Sequence, residues 1–306
     1  MASSDTPHVV VIGSINMDLV ARTDHVPAPG ETVLGQDFQT IPGGKGANQA
    51  VAVARLGARC TMVGRVGDDA FGKRLVAGLA ADGVETGHIL TTPQTPSGVA
   101  LIVVAASGEN AICVASGANF AVTPADIAAA EEAIADADAC LLQLELPVKT
   151  VIHAIRVCHR HGVEAILDPA PALADPPDDL FGADVLSPNE TEAALLLGGS
   201  EPSGEPHEIA QALAARGARE VVLKLGAQGA GVLSDGRFEL VPGHKVDVVD
   251  TTAAGDAFTA GLAVACARGR SLCQAVRYAN AAGALACTQF GAQPSMPTAA
   301  DVEAMV

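Results

Sequence analysis

Residues 139–167 read ACLLQLELPVKTVIHAIRVCHRHGVEAIL, two short apolar runs separated by a longer stretch with helical spacing. This pattern predicts strands at Ala139–Leu144 and Val163–Leu167 and a helix at Val148–His161. Strands that alternate with helices are typical of a parallel sheet, because parallel strands need a crossover connection between them. The stretch therefore indicates an α/β fold.

The same alternation extends over most of the chain. The run His8-Val-Val-Val-Ile-Gly13 is apolar and β-branched, which predicts a buried parallel strand. Further strands are predicted at Cys60–Val63, Val185–Ser187 and Glu220–Leu225, and further helices at Ala47–Leu56, Asp69–Asp82, Glu190–Leu197, His207–Arg216, Ala254–Ala267 and Ser271–Ala286. We therefore predict a single α/β domain over residues 1–306, with three α/β/α layers around a mostly parallel central sheet.

Two segments, at about residues 15–42 and 96–118, interrupt this alternation. Both are rich in Thr, Val, Gly and Pro, and neither carries a helical pattern. In the second segment, Val99–Ala106 and Asn110–Ala115 are predicted to form a hairpin. We expect the two segments to form a small β-sheet lid that covers a site on the main sheet and excludes water from it.

The charge balance excludes several classes of partner. The 306 residues include 18 Lys and Arg against 35 Asp and Glu, which gives a formal net charge of −17. Nucleic acids and anionic membranes attract clustered Lys and Arg, so we expect neither as a partner. A small phosphorylated ligand is compatible with this charge, because backbone N–H groups and a metal ion can hold it.

The remaining composition predicts a globular cytoplasmic protein. Apolar residues make up 49% of the chain and charged residues 17%, which is enough apolar surface for a sizeable core. The sequence has no apolar run of about 18 residues, and no basic segment precedes Arg22, so we predict neither a membrane span nor a signal peptide. The seven cysteines form no C-x-x-C pair, and we expect most of them to be buried thiols in a reducing compartment.

The most informative polar segment is Asp250-Thr-Thr-Ala-Ala-Gly-Asp256-Ala-Phe, which runs through small residues into an apolar helix. Unpaired N–H groups of Ala253, Ala254 and Gly255 at the helix start form a site for an anion. Asp256, at the same helix end, is placed to accept a proton from an attacking hydroxyl. The alternative is that Asp256 only caps the helix.

A second glycine-rich segment, Gly43-Gly-Lys-Gly-Ala-Asn48-Gln-Ala, also leads into a helix. Its glycines allow close backbone contact with a ligand, and Lys45 and Asn48 offer hydrogen-bond donors to hydroxyl groups. The segment is not a Walker A loop, because Gly46 follows Lys45 where Ser or Thr is required. Taken alone, it is also compatible with a structural turn.

Other polar residues stand at the ends of predicted strands, where open α/β sheets bind their ligands. Asn16 and Asp18 follow the first strand and suit the hydroxyls of a polyol, although both types also favour turns. Glu145 ends another strand and is either a ligand contact or a solvated strand end. All of these ends are expected on the same edge of one sheet.

Two more segments fit a nucleotide site on that edge. Asn189 and Glu192 have the spacing of a helix capping box, but Glu192 also suits a hydrated Mg²⁺. The segment Lys224-Leu-Gly-Ala-Gln-Gly229 is a strand followed by a glycine-rich turn that either receives a nucleotide or only turns the chain.

Together these segments resemble the signature segments of the ribokinase/PfkB family of carbohydrate kinases. The resemblance covers essentially the whole chain in the family's order. Beyond the two glycine-rich segments it includes Gly13–Asp18, Pro29–Thr32, Gln143–Glu145, Asp168–Pro171, Pro188–Glu192 and Gly291–Ser295.

The resemblance implies ATP-dependent phosphorylation of the 5-hydroxyl of D-ribose, with Asp256 as the base and Ala253, Ala254 and Gly255 as the anion hole. The sugar would be held by Asn16, Asp18, Gly43, Gly44, Lys45, Asn48, Glu145 and Asp256. The ATP site would comprise Asn189, Lys224, Leu225, Gly226, Ala227, Gln228, Gly229, Gly255, Asp256 and Asn280, with Glu192 near Mg²⁺. An activating K⁺ would be held by Asp250, Thr252, Ala286, Gln289, Gly291 and Ser295, and the lid would join two copies in a homodimer.

Three alternatives remain open at this point. A sister kinase of the same family would act on deoxyribose, another sugar or a nucleoside. A non-catalytic sugar-binding protein would share the fold, because fold does not fix function. A nicotinamide-dependent dehydrogenase is disfavoured, since the chain contains no G-x-G-x-x-G segment.

Overall fold

A computed structural model of the chain describes residues 6–201 and 203–306. The strands over these residues are β1 (His8–Ile12), β2 (Asn16–Thr23), β3 (Asp37–Gly43), β4 (Arg59–Gly67), β5 (Glu85–Thr92), β6 (Gly98–Ala105), β7 (Asn110–Ala115), β8 (Ala139–Leu142), β9 (Glu164–Leu167), β10 (Val185–Leu186), β11 (Glu220–Lys224), β12 (Gly229–Ser234) and β13 (Arg237–Pro242). The α-helices are α1 (Lys45–Arg55), α2 (Ala70–Ala81), α3 (Pro124–Ala129), α4 (Glu131–Ala135), α5 (Val148–His161), α6 (Glu190–Leu196), α7 (Pro206–Ala215), α8 (Ala254–Ala267), α9 (Leu272–Ala286) and α10 (Ala299–Met305).

The large sheet has the order β13-β12-β11-β10-β9-β8-β1-β4-β5. It is parallel from β5 to β11, and β12 and β13 add an antiparallel edge. Helices cover both faces, because the side chains of β1 alternate between two apolar clusters: Val9 and Val11 belong to one, Val10 and Ile12 to the other. The predicted three-layer fold with a mostly parallel sheet is therefore confirmed.

Most predicted elements of the large sheet and its helices are present with ends shifted by no more than two residues, but β4 ends at Gly67, four residues past the predicted Val63. The helix α5 has the predicted bounds, whereas α1 begins at Lys45, two residues before the predicted start. The hairpin of β12 and β13 was not predicted, because Gly and polar residues interrupt its apolar pattern between Gly229 and Pro242.

A second sheet of four strands has the order β3-β2-β6-β7. Its strands lie in the two segments that the sequence assigned to a small β subdomain, and β6 and β7 form the expected hairpin. The strands β2 and β6 pair in parallel, which joins the two distant segments directly. That this sheet acts as a lid stays a prediction.

Close backbone packing fixes the start of α1 against the end of β1. A Cβ atom on Gly46 would lie 2.6 Å from the carbonyl carbon of Gly13, so neither residue has room for a side chain. Gly44 precedes the helix with φ +92°, a conformation that other residues rarely adopt. These glycines therefore hold the next residues of α1 beside the carboxyl edge of the large sheet.

Two further expectations were tested by the structure. Over the described residues, no helix combines the length and the apolarity needed to cross a membrane. All seven cysteines are free thiols, but Cys60, Cys140 and Cys158 alone are buried, so the expectation that most are buried is wrong.

Candidate active site

The first turn of α8 is where the two glycine-rich segments meet. Asp256 is 5% exposed, and its Oδ2 accepts a hydrogen bond of 2.9 Å from Nδ2 of Asn48 on α1. Its Oδ1 accepts a second bond of 3.2 Å from Nε2 of Gln49. Both partners lie on another helix, so the role of Asp256 is not limited to capping α8.

Burial changes the acidity of this carboxyl group. Loss of solvation raises the pKa of Asp256 to about 6, although the charge of Lys45 opposes the shift. The negative charge of Asp168 adds to it, and the hydrogen bonds from Asn48 and Gln49 lower it. Asp256 therefore titrates close to neutral pH, in the range where a general base works well.

The amides that precede Asp256 differ in their hydrogen bonding. The N–H of Ala254 donates to the carbonyl of Thr251 at 3.2 Å, and its place in the predicted anion site stays a prediction. The N–H groups of Ala253 and Gly255 make no hydrogen bond to any part of the chain that the structure describes. Ala253 has the left-handed φ of 59°, and the two unpaired amides remain as anion donors.

The polar residues predicted to hold a sugar lie around the end of β1. Oε2 of Glu145 accepts hydrogen bonds from Oγ of Ser14 and, at 3.3 Å, from Nδ2 of Asn16. Asn119 donates in turn to Oδ1 of Asn16 at 2.7 Å. The buried Oδ1 of Asn48 has no partner among the described residues, which leaves a hydrogen-bond acceptor for a ligand.

Asp18 and Lys45 carry the charge on this side of the site. Burial, followed by the charges of Glu145 and Asp256, raises the pKa of Asp18 to about 7. Burial would lower the pKa of Lys45, but the carboxylates around it, led by Asp256, outweigh burial and raise it. The ammonium group is therefore a fixed positive charge among carboxylates.

A cavity of about 610 Å³ opens beside the start of α8. Six of the predicted nucleotide residues line it: Lys224, Gly226, Ala227, Gly229, Gly255 and Asn280. Its other walls include Gly283 and Ala284 of α9 and the loop after β13, which the sequence did not single out. The volume and the small side chains suit a nucleotide-sized ligand.

Comparisons with known proteins agree with this geometry. The model of the pfkB family carbohydrate kinases matches residues 6–299. The chain belongs to this family. It is 44% identical to the ribokinase of Bacillus subtilis, over 98% of this chain and 99% of the relative, and 40% identical to that of Haemophilus influenzae, over 95% of each. The structure of Arabidopsis thaliana ribokinase complexed with ribose and ATP superposes with a TM-score of 0.88 at 34% identity, covering 98% of this chain and 99% of that one.

Four residues of the predicted nucleotide set do not line the cavity of this pfkB-family chain: Asn189, Leu225, Gln228 and Asp256. Asn189 and Glu192 form the capping box of α6, in which each side chain accepts the other's backbone N–H, at 2.7 and 2.8 Å. Asn280 donates to the carbonyls of Val241 and Pro242, both at 3.1 Å, and so ties α9 to β13. Oε2 of Glu192 also lies 3.8 Å from Nζ of Lys224, which borders the cavity.

The predicted cation ligands lie at the end of α9 and in the loops before α8 and after α9, and these two loops contact each other. Oδ1 of Asp250 accepts bonds from the backbone N–H and hydroxyl of Thr252, and Oδ2 accepts from the N–H of Gly291 at 2.9 Å. Partial burial would raise the pKa of Asp250, but these bonds outweigh it and lower the pKa. The hydroxyl of Ser295 donates to the carbonyl of Ala292, and the N–H of Gln289 approaches the carbonyl of Ala286 at 3.5 Å.

The sequence analysis missed three polar residues beneath this site. Gln49 follows Asn48 within the second glycine-rich segment, and Asp168 is the first residue after β9. Gln143 follows β8 and donates to Oε1 of Gln49 at 2.6 Å. Their positions at strand ends and within a quoted segment were signals for all three, but no pattern showed that they contact one another.

Proposed function

We propose that the chain transfers the γ-phosphoryl group of ATP to the 5-hydroxyl of D-ribose, giving D-ribose 5-phosphate. The observation that carries this proposal is the position of Asp256, buried at the start of α8 and hydrogen-bonded to Asn48 of the glycine-rich loop. The cavity that suits a nucleotide begins at the same helix start. The two substrates therefore meet at the carboxylate.

The polar residues around Asp256 suit a sugar. The acceptor Oδ1 of Asn48 and the carboxylates of Asp18 and Glu145 accept hydrogen bonds from sugar hydroxyls, while Lys45 donates hydrogen bonds to them. Asp256 removes the proton of the attacking hydroxyl as the oxygen approaches phosphorus. At neutral pH most of the Asp256 population is ionised, because its pKa is about 6.

The start of α8 supplies the charge stabilisation. Phosphoryl transfer depends on positioning and charge neutralisation more than on covalent chemistry. The unpaired amides of Ala253 and Gly255 face the transferred group in this arrangement, where fixed donors stabilise developing charge.

We infer that two cations assist the reaction. Mg²⁺ accompanies ATP and neutralises its phosphates, and the carboxylate of Glu192 beside Lys224 suits one of its water ligands. A K⁺ ion would take oxygens from the predicted set Asp250, Thr252, Ala286, Gln289, Gly291 and Ser295. The fit rests on Asp250, whose hydrogen bonds join the loop before α8 to the loop at Gly291. Held there, a cation would stiffen the start of α8.

The small sheet, in this proposal, is both lid and dimer interface. Every residue of the edge strand β7 is exposed, including Ile112 at 56% and Val114 at 45%, and β7 has no charged residue or proline. Monomeric proteins usually protect such edges with charges or proline. Val114 pairs with Ala100, which pairs with Asp18, so this apolar face continues into the site. A second copy of the chain fits this surface.

Sedimentation velocity tests the dimer. The wild-type chain is expected to sediment as a dimer at micromolar concentration, and Ile112→Lys as a monomer, because the added charge is buried without a partner. A wild-type monomer would contradict the interface. A cytoplasmic location, consistent with the free thiols, is tested separately by cell fractionation.

An ADP-release assay tests the activity and its nearest alternatives. The panel contains ribose, deoxyribose, fructose and adenosine, each with K⁺, with Na⁺ and without Mg²⁺. We expect the highest kcat/KM for ribose, loss of activity without Mg²⁺ and lower activity in Na⁺. A preference for deoxyribose or adenosine would assign a sister activity, and no ADP release with any acceptor would overturn the kinase function.

A further inference from the structure

The carboxamide of Gln49 lies beneath the site, and the reaction outlined above does not use it. The residue is on the first turns of α1 and its side chain is fully buried. Its Nε2 donates one hydrogen bond of 2.9 Å to Oδ2 of Asp168 and another of 3.2 Å to Oδ1 of Asp256. One amide group thus bridges two buried carboxylates that stand on different elements.

All hydrogen-bonding groups of this amide are engaged in a way that fixes its orientation. Its Oε1 accepts a hydrogen bond of 2.6 Å from Nε2 of Gln143, whose side chain is also fully buried. An ionised carboxylate accepts hydrogen bonds and cannot donate them. The NH₂ group of Gln49 must therefore face the two carboxylates, and its oxygen must face Gln143. The bridge is therefore held from behind, and it does not rotate freely.

The far end of the bridge is anchored by an ion pair. Oδ1 of Asp168 is 2.7 Å from Nζ of Lys224, and the two side chains are 2% and 12% exposed. Lys224 also borders the nucleotide cavity. A continuous series of contacts therefore runs from the cavity through Lys224, Asp168 and Gln49 to Asp256.

Asp256 needs such support, because a buried carboxylate without partners is costly. Within the described ranges 6–201 and 203–306, no cation lies within 4 Å of its oxygens. Lys45 of α1 faces it from a greater distance, and Asp168 and Asp18 face it with like charge. The amides of Asn48 and Gln49 are its direct hydrogen-bond donors.

We propose that Gln49 is a positioning residue that aims the carboxylate of Asp256 and keeps it ionised, with the Asp168–Lys224 pair as its anchor. This inference rests on the proposed kinase function, in which Asp256 is the base. Gln49 touches neither sugar nor ATP in this scheme; it acts through Asp256. Its removal should change proton transfer and its pH dependence more than substrate binding.

Two substitutions with opposite expected signs test the proposal through the pH profile of kcat. Gln49→Leu removes a donor that stabilises the ionised form, so the acid limb of the kcat profile should move up by about one pH unit, and kcat should fall about tenfold at pH 5 and about twofold at pH 7. Asp168→Asn removes a like charge and leaves Lys224 unneutralised, so the acid limb should move down. KM for ribose and ATP should change less than threefold in both variants.

Gln49→Glu is the matched variant of equal size. A third carboxylate between Asp168 and Asp256 should move the acid limb further up than Gln49→Leu does. If Gln49 only fills space, Gln49→Leu lowers the melting temperature but leaves the limb where it is, and the proposal is overturned. The proposal is also overturned if the acid limb of the kcat profile moves in the same direction in Gln49→Leu and in Asp168→Asn. Should Gln49→Leu not fold, Gln49→Met, which also lacks the amide donor, takes its place in the test.

The wild-type assay separates this proposal from the function on which it rests. If the wild-type chain releases no ADP with any acceptor, the kinase function fails and the role of Gln49 falls with it. If the wild type is active and the limb does not move in the variants, the role of Gln49 alone is wrong.

Discussion

The sugar end and the nucleotide end of the site differ in the side chains that line them. At the sugar end, Asn48 and Asp256 are buried and hydrogen-bonded to each other, and the half-buried Asp18 lies close enough for the charge of Asp256 to raise its pKa. At the nucleotide end, eight of the seventeen residues that line the cavity are glycine or alanine, as at Gly283 and Ala284, and Lys224, His244 and Lys245 line it as well. The sugar end therefore depends on buried polar side chains, whereas part of the nucleotide end is a wall of small residues that sets its shape.

The largest effect at the sugar end is expected from Asp256→Asn. The amide cannot accept the hydroxyl proton, so we expect kcat to fall about a thousandfold, within the range that general bases contribute. Ribose binding, measured by calorimetry, should stay within a few-fold of wild type, because Asn fills the same space. Near-normal turnover by a folded Asp256→Asn enzyme would show that the base has been wrongly assigned.

A smaller effect is expected from Asp18→Asn, which tests the titratable character of the sugar end. The pKa of Asp18 is about 7, so its carboxylate is ionised above that value and ribose binding should weaken as pH falls through it. Removing one charge-assisted hydrogen bond should raise KM for ribose about thirtyfold at pH 8.

The pH profile of KM provides the control for this prediction. In Asp18→Asn the KM for ribose should no longer change around pH 7, while KM for ATP stays as in wild type throughout. A variant that keeps the wild-type midpoint would assign the titration to another group.

The glycine and alanine wall of the nucleotide end should respond to side-chain volume. Ala284→Phe on α9 places a large ring at the cavity wall, and we expect KM for ATP to rise about tenfold with KM for ribose unchanged. Arg277→Phe is the matched control, since this exposed residue of the same helix does not border the cavity. Equal effects of the two variants, or a change in ribose KM, would remove the distinction between the ends.

The parts that were predictable from sequence depend on local pattern. Alternating apolar runs predict the layers of the large sheet. The rule that ligands bind at strand ends predicts Asn16, Asp18 and Glu145 as candidate ligand contacts. The β12–β13 hairpin escaped because Gly229 and Gly231 interrupt a strand whose pairing is decided by neighbours.

The contacts between distant side chains were not predictable in the same way. That Gln49 reaches both Asp168 and Asp256 depends on the angle between α1 and α8. That angle is set by tertiary packing of residues far apart in the chain. Spacing along one segment carries no information about it.

One contact of the small sheet could be followed by fluorescence. The guanidinium of Arg22, at the far end of β2, lies 5.0 Å from the ring centre of Phe290, next to Gly291. The chain contains no tryptophan. An indole introduced by Phe290→Trp would be the sole strong emitter, stacked under a cation that belongs to the small sheet. Its fluorescence would brighten or dim if the small sheet moved away from the loop after α9, so that separation could be timed in stopped flow without any attached dye.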